Sequence, residues 1–178
     1  TSYTIMKNIL KTFDRTINKI GKTYVESFKN EVLQQNHSAS GKLVNTMKYS
    51  LKESKDSVDL VVQTLAQYFM EVNDGVPPKQ WDLDDVLQWM DDRDSNPNNT
   101  FKFPSARGDR YIMAINIARK IAREGTKNSK TEYLSYNGFR KGFIDRVVKF
   151  HEKNFEKDID NAIQQDIDNI FKQLPKQI

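Results

Sequence analysis

The chain has 178 residues and a mass of 20.8 kDa, with a mean hydropathy of −0.74 and a formal net charge of +4. That length supports one compact core, and the expectation is a single domain over residues 1–178. With no cysteine, a disulfide framework, a thiolate metal site and a cysteine nucleophile are all excluded.

The amino end, TSYTIMKNIL, lacks the apolar centre of a signal peptide, and no apolar run approaches the roughly 18 residues of a membrane span. The expectation is therefore a chain made in the cytosol without a membrane partner. Ile5, Ile9, Phe13, Ile17, Ile20, Tyr24, Phe28 and Val32 recur at three- and four-residue steps, and Leu10, Val25 and Leu33 widen the stripe. This predicts a helix over 4–35, with Gly21 as the place where it breaks or bends. A loop follows over 36–41, and Ser40 is expected to cap the short turn KLVNTM.

Met47, Tyr49 and Leu51 alternate with Lys48, Ser50 and Lys52, and a polar turn over 53–57 returns the chain into Val58–Asp59–Leu60–Val61–Val62. A hairpin with one buried face is predicted; alone it is marginal, so it must lie on the long helix or on a neighbour's strands. Leu65, Tyr68, Phe69 and Val72 share a helical face that ends at Gly75 in a left-handed cap. Pro77 and Pro78 enforce extension. Asp82 then caps a helix carrying Leu83, Val86, Leu87 and Met90, with Trp81 and Trp89 beside them. The run DRDSNPNNTFKFPS reads as an irregular excursion. A helix from Asp109 closes at Gly125, and a polar stretch over 126–137 leads to a long last helix over 138–174, interrupted near Asn154. The fold class expected is α+β: long amphipathic helices packed on a small antiparallel β-sheet.

Signs of catalysis or metal binding fail on spacing. Gly21–Lys22–Thr23 resembles the end of a phosphate loop, but Thr16 stands where the first glycine belongs and no strand precedes it. Asp92, Asp94, Asn96 and Asn98 alternate like a calcium loop, yet Pro97 and Phe103 occupy the positions that need glycine and glutamate. His37 and His151 lie in different elements without a ligand or base spacing. The expectation is a protein that is not an enzyme, with no cofactor, metal or catalytic residue.

Charge is segregated. Residues 82–94 carry a net −5 and residues 107–153 a net +7. Two readings stand side by side: ordinary solvated helix faces, or opposite patches for head-to-tail contact between copies.

Gly41 with Leu43, Tyr49, Tyr68, Val72 with Gly75, Arg123 with Gly125 and Thr126, and Phe139 with Phe143 fall in a definite order along almost the whole chain. In that order the chain resembles the bacteriophage neck and tail-completion (HK97-type) proteins, small head-to-tail connector subunits. It departs from their compact pattern in a tryptophan-bearing acidic insert over 77–105, in a polar stretch over 127–137 and in its extended last helix.

The resemblance implies a structural virion protein. It would be one subunit of a homo-oligomeric ring of about twelve or six copies, joining a portal or head-completion protein to a tail protein. Genomic DNA would pass through the lumen without sequence reading. Its location would be the virion neck, and the host cytoplasm during assembly. Trp81, Trp89, Met90, Phe101 and Phe103 are the expected interface residues, because exposed aromatics are costly without a partner. Arg119, Lys120, Arg123, Lys127, Arg140 and Lys141 are the expected channel or inter-subunit cations. The competing class is a non-enzymatic DNA-binding or host-interaction accessory protein made during infection.

Overall fold

A computed structural model describes residues 10–35, 41–54, 57–97, 101–126 and 142–173. Among them are six helices, α1 (Lys11–Gln34), α2 (Lys42–Asn45), α3 (Phe69–Asp74), α4 (Leu83–Ser95), α5 (Arg107–Glu124) and α6 (Phe143–Gln173), and two strands, β1 (Lys48–Glu53) and β2 (Val58–Gln63). With 69% of the described residues helical beside one two-stranded antiparallel sheet, the fold class is α+β. The chain groups into two compact units. One takes in the described parts of Thr1–Phe28, Lys48–Gln63 and Asp145–Ile178, the other those of Lys29–Met47 and Thr64–Ile144.

In the first unit, Ile17, Ile20, Val25 and Phe28 of α1 and Val147 and Ala162 of α6 are buried. Apolar spacing explains which faces of these helices turn inward. The hairpin pairs from Lys48↔Gln63 to Glu53↔Val58 with no bulge. Its tight end is held where the Ser54 N–H donates to the Ser57 carbonyl at 2.9 Å. Gly21 does not break α1, which is continuous from Lys11 to Gln34; it leaves room. The ring of Tyr49 lies where a side chain would stand, so that an added Cβ would come within 2.7 Å of Cε2 and 2.8 Å of Cγ. The Tyr49 hydroxyl then donates to Asn18 Oδ1 at 3.1 Å, which fastens the marginal hairpin to the helix.

α1 begins at Lys11, and its residue before the first turn is Leu10, which offers no capping oxygen. The cap comes from far along the chain. Asp166 of α6, 2% exposed, accepts the Thr12 N–H at 3.0 Å and the Phe13 N–H at 2.8 Å. Burial pushes its carboxyl up, but the Phe13 and Thr12 donors and nearby Arg15 outweigh that and hold it below the ordinary carboxylate range.

The second unit uses the same device. The Asn73 carbonyl accepts the Gly142 N–H at 2.7 Å and its side-chain Oδ1 accepts the Ile144 N–H at 2.9 Å, so α6 starts on a residue of α3. Phe143, fully buried, meets Phe69 edge-on at 5.4 Å. Gly125 packs against the backbone of Val76 and Pro77, at φ 66°, a conformation and a spacing that only glycine tolerates. Beside it the Thr126 N–H donates to the Val76 carbonyl at 2.8 Å, and the Thr126 hydroxyl accepts the Val76 N–H at 2.6 Å.

Several expectations are corrected. Gly41 stands at the N-cap position of α2 without a side-chain cap. Leu65 is 68% exposed and Leu33 38% exposed, and Ala66 is buried in place of Leu65. Gly75 ends α3 at a positive φ of 75°, as a glycine cap does, but its ψ of 166° departs from the left-handed helical conformation. α6 runs unbroken through Asn154, because an exposed asparagine costs a helix only a few tenths of a kcal/mol. Residues 4–9 of the first helix, His37, Ser40 and Phe139 lie outside the described residues.

Two outcomes follow from these joints. Gly21→Ala should destabilise the protein by about 1–3 kcal/mol in urea denaturation despite alanine's better helix propensity, because overpacking against Tyr49 outweighs it. Asp166→Ala should cost about 1–3 kcal/mol at pH 7 through the lost charged cap. The Asp166 carboxyl is depressed in the folded state, so its contribution is complete above the unfolded value of about 4 and disappears as pH falls through the folded one. The difference between the parent and Asp166→Ala should therefore shrink between pH 5 and pH 2.

Candidate functional site

Side-chain chemistry concentrates where α4, α5 and the segment 101–105 meet in the second unit. Asp82 caps α4 as expected, its Oδ1 accepting the Asp84 N–H at 2.9 Å. Val86 and Met90 of α4 and Ala114 of α5 form a fully buried centre, and Trp81, Leu83, Leu87, Trp89, Phe103, Met113, Ile117 and Ala118 pack around it. The spacing of Val86 and Met90 on one side of α4, and of Ala114 and Ala118 on one side of α5, places these helices face to face.

Arg110 ties the three pieces together. Its guanidinium donates from Nη1 to Asp94 Oδ2 at 2.7 Å and from Nη2 to Asp91 Oδ1 at 2.5 Å, and it lies over the Phe103 ring at 5.8 Å. Asp94 Oδ1 also accepts the Phe103 N–H at 3.0 Å, and Lys102 Nζ donates to the Asp94 carbonyl. Partial burial raises the Asp94 carboxyl, but the Phe103 N–H and Arg110 outweigh it and hold it below its ordinary range. The Trp89 and Phe103 rings meet at 5.4 Å, and the Arg93 guanidinium lies 5.7 Å from the Trp89 ring.

The five expected interface residues therefore differ in what they offer. Met90 is completely buried and belongs to the core, so the expectation that it is a surface contact is corrected. Trp81, Trp89 and Phe103 are half-buried on that core, while Phe101, 56% exposed, presents its ring outward against the edge of Phe103 at 5.1 Å. The reason is that α4 spends its apolar face on α5, a partner that a reading of α4 by itself does not disclose.

The acidic run is also weaker than its sum. Asp91 and Asp94 are matched by Arg110, leaving Asp82, Asp84 and Asp85 exposed. Asp94 serves Arg110 and Phe103, a structural duty in place of the calcium loop that its spacing imitates. Of the expected cations, Arg119 and Lys120 stand exposed on α5, and Arg123 pairs with Glu124. Lys127, Arg140 and Lys141 lie outside the described residues.

Along the flank of α5 runs an open groove of about 480 Å³, lined by Pro104, Asp109, Ile112, Met113, Asn116, Ile117 and Lys120. Ile112 is 59% exposed. Periodicity alone does not disclose this groove, since isoleucine reads as core by type; the signal is the place of Ile112 in the helical order, turned away from buried Ala114.

In the first unit, Ser27 Oγ and His151 Nε2 are 2.8 Å apart, with the donor set by the imidazole tautomer. The ring stacks on Phe155 at 4.7 Å and meets the edges of Tyr24 and Phe150. Burial holds the imidazole below its usual range, so the neutral form is favoured. Among the described residues Ser27 is the imidazole's hydrogen-bond partner and no carboxylate orients it, so the pair acts as a polar joint within aromatic packing.

No family model, no curated protein and no solved structure matches this chain. Among the described residues there is no cluster of three or more metal-ligating side chains, and no helix is long and apolar enough to cross a membrane.

Met90→Ser should destabilise the protein by about 2–5 kcal/mol, through lost burial and an unsatisfied hydroxyl in a filled core. Phe101→Ser should leave stability within about 0.5 kcal/mol, as for other exposed positions. Thermal unfolding of the two variants side by side checks the assignment.

Proposed function

We propose that this chain is a non-enzymatic structural subunit of an oligomeric ring in a bacteriophage neck, joining the portal or head-completion side to the tail around the DNA channel. The observation that carries this reading is the ordered set of residues that resembles neck and tail-completion proteins. A scaffold family would keep residues that build joints, and that is how these residues are used. Leu43 is 1% exposed, Tyr49 seats the hairpin on α1, Gly125 and Thr126 clasp Val76, and fully buried Phe143 anchors the start of α6. Phe101 and the exposed acids of α4 supply one kind of contact surface, and the cations of α5 another, as a heterologous ring contact would need.

A second reading, DNA binding by an accessory protein, draws on the exposed Arg107, Arg119 and Lys120 of α5.

The test is quantification of the chain by mass spectrometry against the capsid protein in purified particles of its phage, with antibody labelling in the electron microscope. The expected outcome is label at the head–tail junction and about twelve or six copies per particle. Absence from particles would overturn the structural reading. Salt-dependent DNA binding by the isolated chain, lost in Arg119→Glu/Lys120→Glu, would then favour the accessory one.

A further inference from the structure

The six α5 residues that line the groove beside Pro104 are placed symmetrically in sequence about their own middle. Asp109 and Lys120, Ile112 and Ile117, and Met113 and Asn116 each lie equally far from the midpoint between Ala114 and Ile115. The six positions fall at steps of three and one, the seam that one α-helix offers another, and they span roughly 16 Å at 1.5 Å per residue. Asp109 closes one end and Lys120 the other; both are exposed, and each carries a charge that no ion pair in the described structure neutralises. Ile112, 59% exposed between them, is the most exposed large aliphatic side chain of α5.

We infer that this flank is a two-fold docking surface for a second copy of the chain, with the two α5 helices antiparallel. A two-fold axis through the midpoint sets Asp109 of each copy against Lys120 of the other, and Ile112 of each against Ile117 of the other. One surface is thus its own complement, the condition for an isologous dimer. The antiparallel order also sets the helix dipoles favourably. Charge complementarity selects this occupant. A parallel copy would place Asp109 on Asp109 and Lys120 on Lys120, a like-charge arrangement that costs affinity. The contact does not rest on the phage reading and stands or falls apart from it.

Sedimentation equilibrium of the full chain at low salt tests it. A concentration-dependent rise toward twice the 20.8 kDa of one chain is expected. Asp109→Lys and Lys120→Asp should each weaken association by about tenfold or more, since each replaces two attractive pairs with two repulsive ones. The double exchange Asp109→Lys/Lys120→Asp should restore it to within about threefold of the parent. Ile112→Glu, at an exposed position that leaves the fold intact by circular dichroism, should abolish it. A chain that stays monomeric to high concentration would overturn the inference. So would a dimer indifferent to the single exchanges, or a double exchange no better than either single one.

Discussion

An α-helix leaves its first backbone N–H groups without partners, and in this protein the two longest helices meet that need with side chains from far along the chain. Asp166 satisfies Thr12 and Phe13 at the start of α1, and Asn73 satisfies Gly142 and Ile144 around the start of α6. A local cap would fix only where a helix begins. A distant cap also fixes which other element must lie beside that beginning, because the polar donors are lost to water unless the remote acceptor is in place. With no disulfide available, these polar joints, the Thr126–Val76 clasp and the Arg110 knot hold segments together that apolar packing alone would leave free to slide.

The candidate surface arises from the same economy. α4 and α5 bury Val86, Met90 and Ala114 between them, and Arg110 draws Asp91, Asp94 and the 101–105 segment onto that pair. What remains outside is what a partner can meet: Phe101, the exposed Asp82, Asp84 and Asp85, and the flank of α5 with Ile112 at its centre. The neck-subunit proposal and the antiparallel α5 contact share Lys120 and otherwise use different parts of this remainder, and copy number in particles and dimerisation in solution test them separately.

His151 shows how a chemically suggestive residue becomes a packing element. Flat contact with Phe155 and edges of Tyr24 and Phe150 surround the ring, and burial disfavours its charged form. Its folded value is depressed, so the stability it contributes is complete above the unfolded value of about 6.5 and fades as pH falls below it. That loss begins at a higher pH than the one set by Asp166 and Asp94, because the unfolded imidazole titrates above an unfolded carboxyl.

The sequence by itself determined the fold class, the hairpin, the Asp82 cap, and the apolar faces of α1 and α4. Each of these follows from periodicity or from a side chain acting within a few residues, which a linear reading captures. Only the tertiary structure decided that Met90 is core, that Gly21 is a seat for Tyr49, that Arg110 consumes two of the acids, and that Ile112 faces outward. The same holds for the remote caps Asp166 and Asn73. In all of these the deciding partner stands more than ten residues away, and hydrophobic pattern fixes which face of a helix is apolar without fixing what that face, or its neighbour, will meet.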